Sequence, residues 1–153
     1  MPTSLARRVL VLHGPNLSRL GRREPAVYGT LTLAEVDAAV ATLAASLGAE
    51  VSALQSNHEG TLLDALLKAD DDGYCGVLLN AGALAHTSLA LADGVRAVAP
   101  LPVIEVHLTN TAAREEARQV VVVGAACRAR VEGFGVDSYL LGLRGLLALV
   151  DGG

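Results

Sequence analysis

The sequence predicts an α/β fold in which a parallel sheet is covered by helices on both faces. Short, uninterrupted runs of branched apolar residues recur along the chain, as expected of strands that are buried on both sides. Segments with apolar residues at helical spacing lie between these runs. Such alternation favours parallel strands joined by helical crossovers, and hence three layers around one sheet.

The first strand and the first long helix have clear boundary signals. Residues 9–12 are four branched apolar residues, and Pro15 ends this strand because it cannot donate a ladder hydrogen bond. Thr32 opens a Thr-Leu-Ala-Glu capping box, and apolar residues follow at helical intervals until Gly48. We therefore expect a strand, a loop and a helix in this order.

The rest of the chain repeats the pattern. Asn57 is the expected cap of a second helix, the segment 86–88 opens a third, a short helix is expected near residues 112–117, and Asp137 or Ser138 should cap the last. The further predicted strands are residues 51–54, 77–79, 103–108 and 120–123.

Composition narrows the possible classes of protein. The 153 residues fit a single domain, and 52% of them are apolar, which is ample for a core. The net charge of -4 and the scattered arginines argue against nucleic-acid binding, and no apolar run is long enough for a membrane span. Cys75 and Cys127 have no metal-ligand spacing, and no secretory signal opens the chain. We therefore expect reduced thiols in a cytoplasmic protein.

Polar side chains follow four of the predicted strands. Asn16 comes after the first strand, Asn57 after the second, Asn80 after the third, and Glu105 and His107 belong to the fourth. The carboxyl ends of parallel strands meet at one edge of a sheet, where ligands bind. Each residue also has a structural explanation, such as a helix cap, a turn or a core histidine paired with a carboxylate. Together they favour a binding or catalytic site.

The loop after the first strand concentrates positive charge beside a phenol. Arg19, Arg22, Arg23 and Tyr28 lie within ten positions of an otherwise acidic chain. A solvated surface loop with a packed tyrosine is one interpretation, and a site for a small anion is the other.

Several enzyme classes lack their signatures. The chain has no G-x-G-x-x-G, no P-loop motif and no G-x-S-x-G, which disfavours nucleotide enzymes and serine hydrolases. Its four histidines, His13, His58, His86 and His107, show no H-x-x-x-H pairing, so a metal site is not expected. Two classes stay open: an acid–base enzyme, and a non-catalytic protein that binds a small molecule or a partner.

The motifs resemble one family in order and spacing. GPNL, GRREPAVYG, SNHEG, LNAGALAHTS and PVIEVHLTN, within residues 9–118, resemble the type II 3-dehydroquinate dehydratases. The resemblance implies a flavodoxin-like three-layer sandwich with a five-stranded parallel sheet. It also implies elimination of water from 3-dehydroquinate to give 3-dehydroshikimate through an enolate, in the shikimate pathway of aromatic amino acid biosynthesis or in quinate catabolism.

The resemblance further implies the roles of individual residues, and no cofactor or metal. The implied catalytic residues are Tyr28 as base, Arg23 as its essential arginine with Arg19 or Arg22 as helper, Asn16 as holder of a water that stabilises the enolate, His107 as acid, and Glu105, which shares a strand face with His107 and orients it. The implied substrate-binding residues are Asn80, His86, the backbone amides of Leu108 and Thr109, Arg118, and Asp93 donated by a neighbouring subunit.

The resemblance also implies how the chain is organised. A single domain would span residues 1–153, with an N-terminal tail over residues 1–8 and a lid loop over residues 18–28 that closes on the substrate. Trimers would assemble into a dodecamer. The chain departs from the family's usual residues at Ser18, Leu84, Ala85, Ala117, Gln119, Val120 and Ser138.

The only lysine does not suit covalent catalysis. Lys68 precedes three aspartates at the end of an amphipathic segment, where the carboxylates keep an ammonium charged. A Schiff-base lysine needs a dry pocket or a neighbouring cation instead. We therefore expect an enolate held by non-covalent contacts.

Overall fold

The computed structural model describes residues 7–22 and 24–152, with the backbone alone for Tyr28. The strands are β1 (Arg7–His13), β2 (Ala49–Gln55), β3 (Gly76–Asn80), β4 (Val103–His107) and β5 (Ala129–Glu132). The α-helices are α1 (Pro25–Tyr28), α2 (Leu33–Ser46), α3 (Glu59–Leu67), α4 (Leu89–Ala97) and α5 (Val136–Gly152), and short 3-10 turns cover Leu17–Arg19, Gly82–His86, Thr111–Ala113 and Glu116–Gln119.

The five strands form one parallel sheet in the order β2-β1-β3-β4-β5. This is the flavodoxin-like order, so the predicted fold class is confirmed. The chain moves outward from β1 in both directions, and the resulting switch point lies between β1 and β3. His13 pairs in register with Asn80 across that point, which brings polar strand ends together.

Each face of the sheet packs against its own pair of helices. Val9 and Val11 of β1 join the core with α2 and α5, whereas Leu10 and Leu12 join the core with α3 and α4. Strands buried on both faces therefore need apolar residues at every position, as the sequence showed. Each fully buried aliphatic side chain contributes about 1.5–3 kcal/mol to folding.

Two helix caps agree with the sequence and two do not. Thr32 accepts a hydrogen bond from the Glu35 amide at 3.2 Å, and Ser88 caps α4. Asn57 does not cap α3, which begins one residue later, because its side chain accepts the amide of Asn16 instead. The last helix begins at Val136, so residues 137 and 138 lie inside its first turn and not at its N-cap; from there the Ser138 hydroxyl accepts the Phe134 amide at 3.0 Å.

The predicted fifth strand is wrong. Residues 120–123 form no strand; the amides of Val122 and Val123 donate to the Ala85 carbonyl, and Val123 is buried. The strand beside β4 is β5, whose sequence Ala-Arg-Val-Glu is half charged, as expected at a sheet edge. The charged residues of β5 gave no apolar strand pattern, so this strand was not predicted. The valine run has a strand-like pattern, but it packs over the 3-10 turn that carries His86.

Other boundaries also differ from expectation. β1 begins at Arg7, two residues before its predicted start and within the predicted tail, and residues 1–6 lie outside the described residues. The short helix expected near residues 112–117 is replaced by two 3-10 turns. Within the described ranges, no helix combines the length and apolarity needed to cross a membrane.

Candidate active site

A cavity opens at the carboxyl ends of β1, β3 and β4. This edge of a parallel sheet is where α/β folds bind small ligands. The predicted site residues that line the cavity are Asn16, Asn80, His86, His107, Leu108, Thr109 and Arg118. Thr111 and Arg114 also line the cavity and were not singled out from the sequence.

Asn16 forms one wall, and the end of β2 holds it in place. Its backbone is left-handed, with φ of 70°, a conformation that asparagine tolerates better than most residues. The Asn57 side-chain oxygen accepts the Asn16 amide at 3.0 Å and a hydrogen bond from Gln55 at 3.1 Å. A Cβ on Gly14 would lie 2.4 Å from the Ala81 carbonyl oxygen, so only glycine permits this approach between two loops.

His107 and Glu105 form a buried pair on β4. Glu105 is 1% exposed, and its Oε1 lies 2.6 Å from His107 Nε2. The second oxygen, Oε2, accepts from Arg130 Nε at 2.9 Å. Because a carboxylate only accepts, His107 Nε2 is the donor, and Nδ1 is the ring nitrogen left for a ligand. The predicted contact between these residues is present.

The charge state of Glu105 follows from its partners. Burial alone would raise the pKa of this carboxyl, but the hydrogen bond and charge of His107, together with Arg130, outweigh burial and leave the pKa below its ordinary value. Glu105 is therefore an anion at neutral pH. Its contact with Nε2 fixes the orientation of the His107 ring.

Arg130 extends this pair into a longer network that sequence analysis missed. Its Nη2 donates to Glu132 Oε2 at 2.9 Å. Glu132 Oε1 accepts from both the amide and the hydroxyl of Thr111 at 2.9 Å, so the network reaches the cavity wall. Once β5 is placed beside β4, the register that puts Arg130 opposite Glu105 identifies this partner.

His86 offers the cavity a free nitrogen. Its Nδ1 donates to the Val120 carbonyl at 2.8 Å, and its ring stacks on His107 with centroids 6.0 Å apart. Within the described part of the chain, Nε2 of His86 is a buried side-chain nitrogen that has no hydrogen-bond partner. A buried polar atom normally has a partner, so this nitrogen marks a place for a ligand group.

Two of the described predicted residues, Glu105 and Asp93, do not line this cavity. Glu105 lies behind His107 and acts on it rather than on the cavity. Asp93 lies on α4 with an exposed side chain, 3.6 Å from Arg96. Tyr28 is the last residue of α1 in a largely exposed segment, and Arg23 lies outside the described residues.

Arg118, the remaining predicted cation of the site, lines the cavity and donates from Nε to Glu115 at 2.6 Å. Arg19 ends the first 3-10 turn, and Arg22 is exposed.

Across residues 7–22 and 24–152, no three His, Cys, Asp or Glu residues are grouped as metal ligands would be. Both cysteines are free thiols.

Known proteins are similar to this chain in sequence and in architecture. The family model for class II dehydroquinases matches residues 7–147. A 3-dehydroquinate dehydratase from a Nostoc species is 51% identical over 144 residues, covering 94% of this chain and 97% of the relative. The corresponding Thermus thermophilus protein is 52% identical over 135 residues, covering 88% and 90%.

A solved structure agrees with the sequence match. The type II dehydroquinase from Butyrivibrio crossotus superposes with a TM-score of 0.91 at 34% identity, covering 93% of this chain and 98% of that chain. The family predicted from the motifs is confirmed. The chain belongs to the class II dehydroquinase family.

Proposed function

We propose that this protein eliminates water from 3-dehydroquinate to give 3-dehydroshikimate. Curated relatives about half identical to the chain are named 3-dehydroquinate dehydratase. The observation that carries the proposal is the buried Glu105–His107 pair, which presents one imidazole nitrogen to a cavity. The reaction would serve aromatic amino acid biosynthesis through the shikimate pathway, or quinate catabolism.

His107 supplies the acid half of the reaction. The imidazolium gives its proton to the departing hydroxyl, which leaves as water. Glu105 holds the ring through Nε2, and Arg130 keeps Glu105 from taking that proton because it lowers the carboxyl pKa. A positioned acid of this kind contributes about 10²–10⁴-fold to the rate.

Tyr28 supplies the base half. As a phenolate it takes the proton from the carbon next to the ketone, which leaves an enolate. An unperturbed tyrosine has a pKa of about 10, so Arg23, with Arg19 or Arg22 as helper, must favour the ionised form. Asn16 holds a water against the enolate oxygen, and its fixed left-handed backbone suits that role.

The remaining residues bind the substrate. The amides of Leu108 and Thr109 cradle the carboxylate. Asn80 and His86 hold the hydroxyls and the carboxylate, and Arg118 holds ring hydroxyls. The free Nε2 of His86 supports this assignment. Closure of the loop over residues 18–28 excludes water from the enolate.

We further propose a cytoplasmic homo-oligomer, the family's dodecamer built from trimers, in which a neighbouring subunit donates Asp93 to the site. The exposed position of Asp93, outside this chain's own cavity, fits such donation. The exposed side chains of Val120 and Val121 lie beside the site and suit a subunit contact, although they do not form an edge strand. Light scattering that shows a stable, active monomer would reject this assembly.

The rival is a protein that kept the pocket and binds a small molecule without turnover. A binding protein has no use for an acid whose carboxylate partner is itself held by an arginine. The deciding assay adds 3-dehydroquinate to the purified, exhaustively chelated protein and follows the conjugated enone product by ultraviolet absorbance. We expect full activity after chelation. Tight binding of 3-dehydroquinate with no product would establish the rival function.

A further inference from the structure

A second polar network lies beneath the cavity and does not belong to the acid–base pair. It joins four side chains from four different elements: His13 at the end of β1, Asn80 at the end of β3, Asp37 of α2 and Tyr139 of α5. His13, Asn80 and Tyr139 are at most 3% exposed. Asp37, at the far end, keeps 37% of its side chain exposed.

The contacts form one continuous chain. Asp37 Oδ1 lies 2.7 Å from His13 Nε2, and His13 Nδ1 lies 3.0 Å from the Tyr139 hydroxyl. The same hydroxyl lies 2.8 Å from Asn80 Nδ2. Of these four residues only Asn80 lines the cavity. The hydrogen-bond network therefore runs from the protein surface at Asp37 to the side-chain amide of Asn80.

The available donors and acceptors determine the direction of each hydrogen bond in this network. The backbone amide of Gly82 donates to Asn80 at 3.1 Å, so the atom of Asn80 that faces Gly82 is the oxygen. The atom that faces Tyr139 is then the NH₂ group, and the Tyr139 oxygen accepts from it. This assignment does not depend on how the amide was placed, because a backbone amide can only donate.

The directions of the other hydrogen bonds in the network follow from the Asn80–Tyr139 bond. The Tyr139 proton is left to bond His13, whose Nδ1 therefore accepts, and His13 Nε2 carries the hydrogen that Asp37 accepts. A doubly protonated His13 would leave the buried Tyr139 proton without an acceptor. Burial raises the pKa of Tyr139, which keeps the hydroxyl proton that this arrangement requires.

We propose that Asp37, His13 and Tyr139 are positioning residues that lock the side-chain amide of Asn80 in one orientation toward the substrate. One N–H of Asn80 is used by Tyr139 and its oxygen binds Gly82, so the second N–H is the group that the cavity receives. This N–H can donate to a substrate oxygen. This inference rests on the proposed function, because substrate binding by Asn80 is part of it.

The first test is a double-mutant cycle with steady-state kinetics. Tyr139→Phe keeps the buried ring and removes only the hydroxyl, so Asn80 loses its acceptor. We expect the KM for 3-dehydroquinate to rise about tenfold, with a smaller change in kcat, as for the loss of one hydrogen bond to substrate. Tyr74→Phe removes a hydroxyl from a half-buried ring that stacks under Arg8, away from the cavity, and should leave KM unchanged.

The cycle separates positioning from general stability. If Tyr139 acts through Asn80, then Tyr139→Phe has less than a twofold further effect on KM in the Asn80→Ala background. A lower melting temperature with an unchanged KM, or a KM effect that adds fully to that of Asn80→Ala, would overturn the proposal.

Neutron diffraction from the wild-type protein tests the network without any assay. The expected map has deuterium on His13 Nε2, none on Nδ1, and the Tyr139 deuterium directed at His13. Deuterium on Nδ1 would overturn the proposal. If the wild type fails to turn over 3-dehydroquinate, the proposed function falls, and the neutron map still decides whether the amide of Asn80 is locked.

Discussion

The two halves of the proposed reaction are built in contrasting regions of the molecule. The acid lies at the end of β4, where Glu105 and His107 are 1% and 6% exposed and both carboxylate oxygens have partners. The base is carried by the loop after β1, which is anchored by the buried Leu17 and Leu20. Beyond that anchor, Arg22 and the described side chains of residues 24–27 are exposed.

The contrast shows which half of the site the isolated chain completes. The acid is preorganised by the sheet, because a buried ion pair of fixed geometry needs no ligand to form it. The loop has little of its own core to fix it, so we expect the base to be completed by substrate, by a neighbouring subunit, or by both. Variants of the loop half should therefore have the largest effect on turnover, and variants of the sheet half should also change stability.

The loop half should control turnover. Tyr28→Phe removes the proposed base, and Arg23→Ala removes the charge that ionises it, so each should lower kcat by at least about 10²–10⁴-fold. Circular dichroism and the melting temperature should stay unchanged, because the described side chains around these positions, Arg22 and residues 24–27, are exposed. Near-wild-type kcat in Tyr28→Phe would place the base elsewhere.

The sheet half should be sensitive to a single methyl group. A Cβ on Gly124 would lie 1.9 Å from Glu105 Oε2 and 2.7 Å from Arg130 Nε, so Gly124→Ala must separate that pair. We expect the free energy of unfolding to fall by about 1–3 kcal/mol, and kcat to fall as well, because His107 loses its fixed partner.

The matched control is Gly145→Ala in α5, where a Cβ meets nothing within 4 Å. Alanine should stabilise this helix by about 0.5–1 kcal/mol without changing kcat. Urea denaturation and steady-state kinetics on both variants give the comparison. Equal behaviour of the two alanines would show that the packing over Glu105 is not tight.

The pH dependence of stability should shift when Arg130 is removed. The pKa of Glu105 is lowered from 4.5, so its contribution to stability is present above the unfolded pKa and lost as pH falls through the folded one. Arg130→Leu raises the folded pKa, so the stabilisation shrinks and acid unfolding begins at higher pH. Melting temperatures measured between about pH 3 and 7 give this shift.

Arg128→Leu makes the same substitution on an exposed side chain two positions earlier and should leave the acid limb in place. Identical acid limbs in the two leucine variants would mean that Arg130 does not hold Glu105 ionised.

The smallest expected effect is none at all. Lys68 is exposed at the end of α3, remote from the cavity-lining residues, so Lys68→Arg should be fully active. Borohydride added with substrate should neither inactivate the protein nor add mass to it. A reduced substrate adduct on Lys68 in the mass spectrum would replace the enolate mechanism with Schiff-base chemistry.

Sequence patterns predicted the strands that can be identified from their own residues alone. Apolar residues dominate β3 and the central parts of β1 and β4, because both sheet faces are covered there, and the polar residues at or near the ends of these strands therefore stood out. β5 carries charge at a sheet edge and was missed. Arg130 was missed with it, since its role depends on the register between β4 and β5.

Long-range contacts explain the other omission. His13 and Tyr139 are 126 positions apart, and nothing near either residue indicates that they meet. Pairing of this kind follows from the strand order and from the packing of α5, not from a motif.

Exchange of the substrate proton in D₂O tests the division between the two halves most directly. In His107→Asn the base still removes the proton next to the ketone, but the hydroxyl lacks its acid. We therefore predict by NMR that this variant incorporates deuterium into 3-dehydroquinate faster than buffer does, while forming almost no product. Tyr28→Phe should neither incorporate deuterium above the buffer rate nor form product. Exchange by Tyr28→Phe at the rate of His107→Asn would contradict the account, because proton removal would then not depend on the loop.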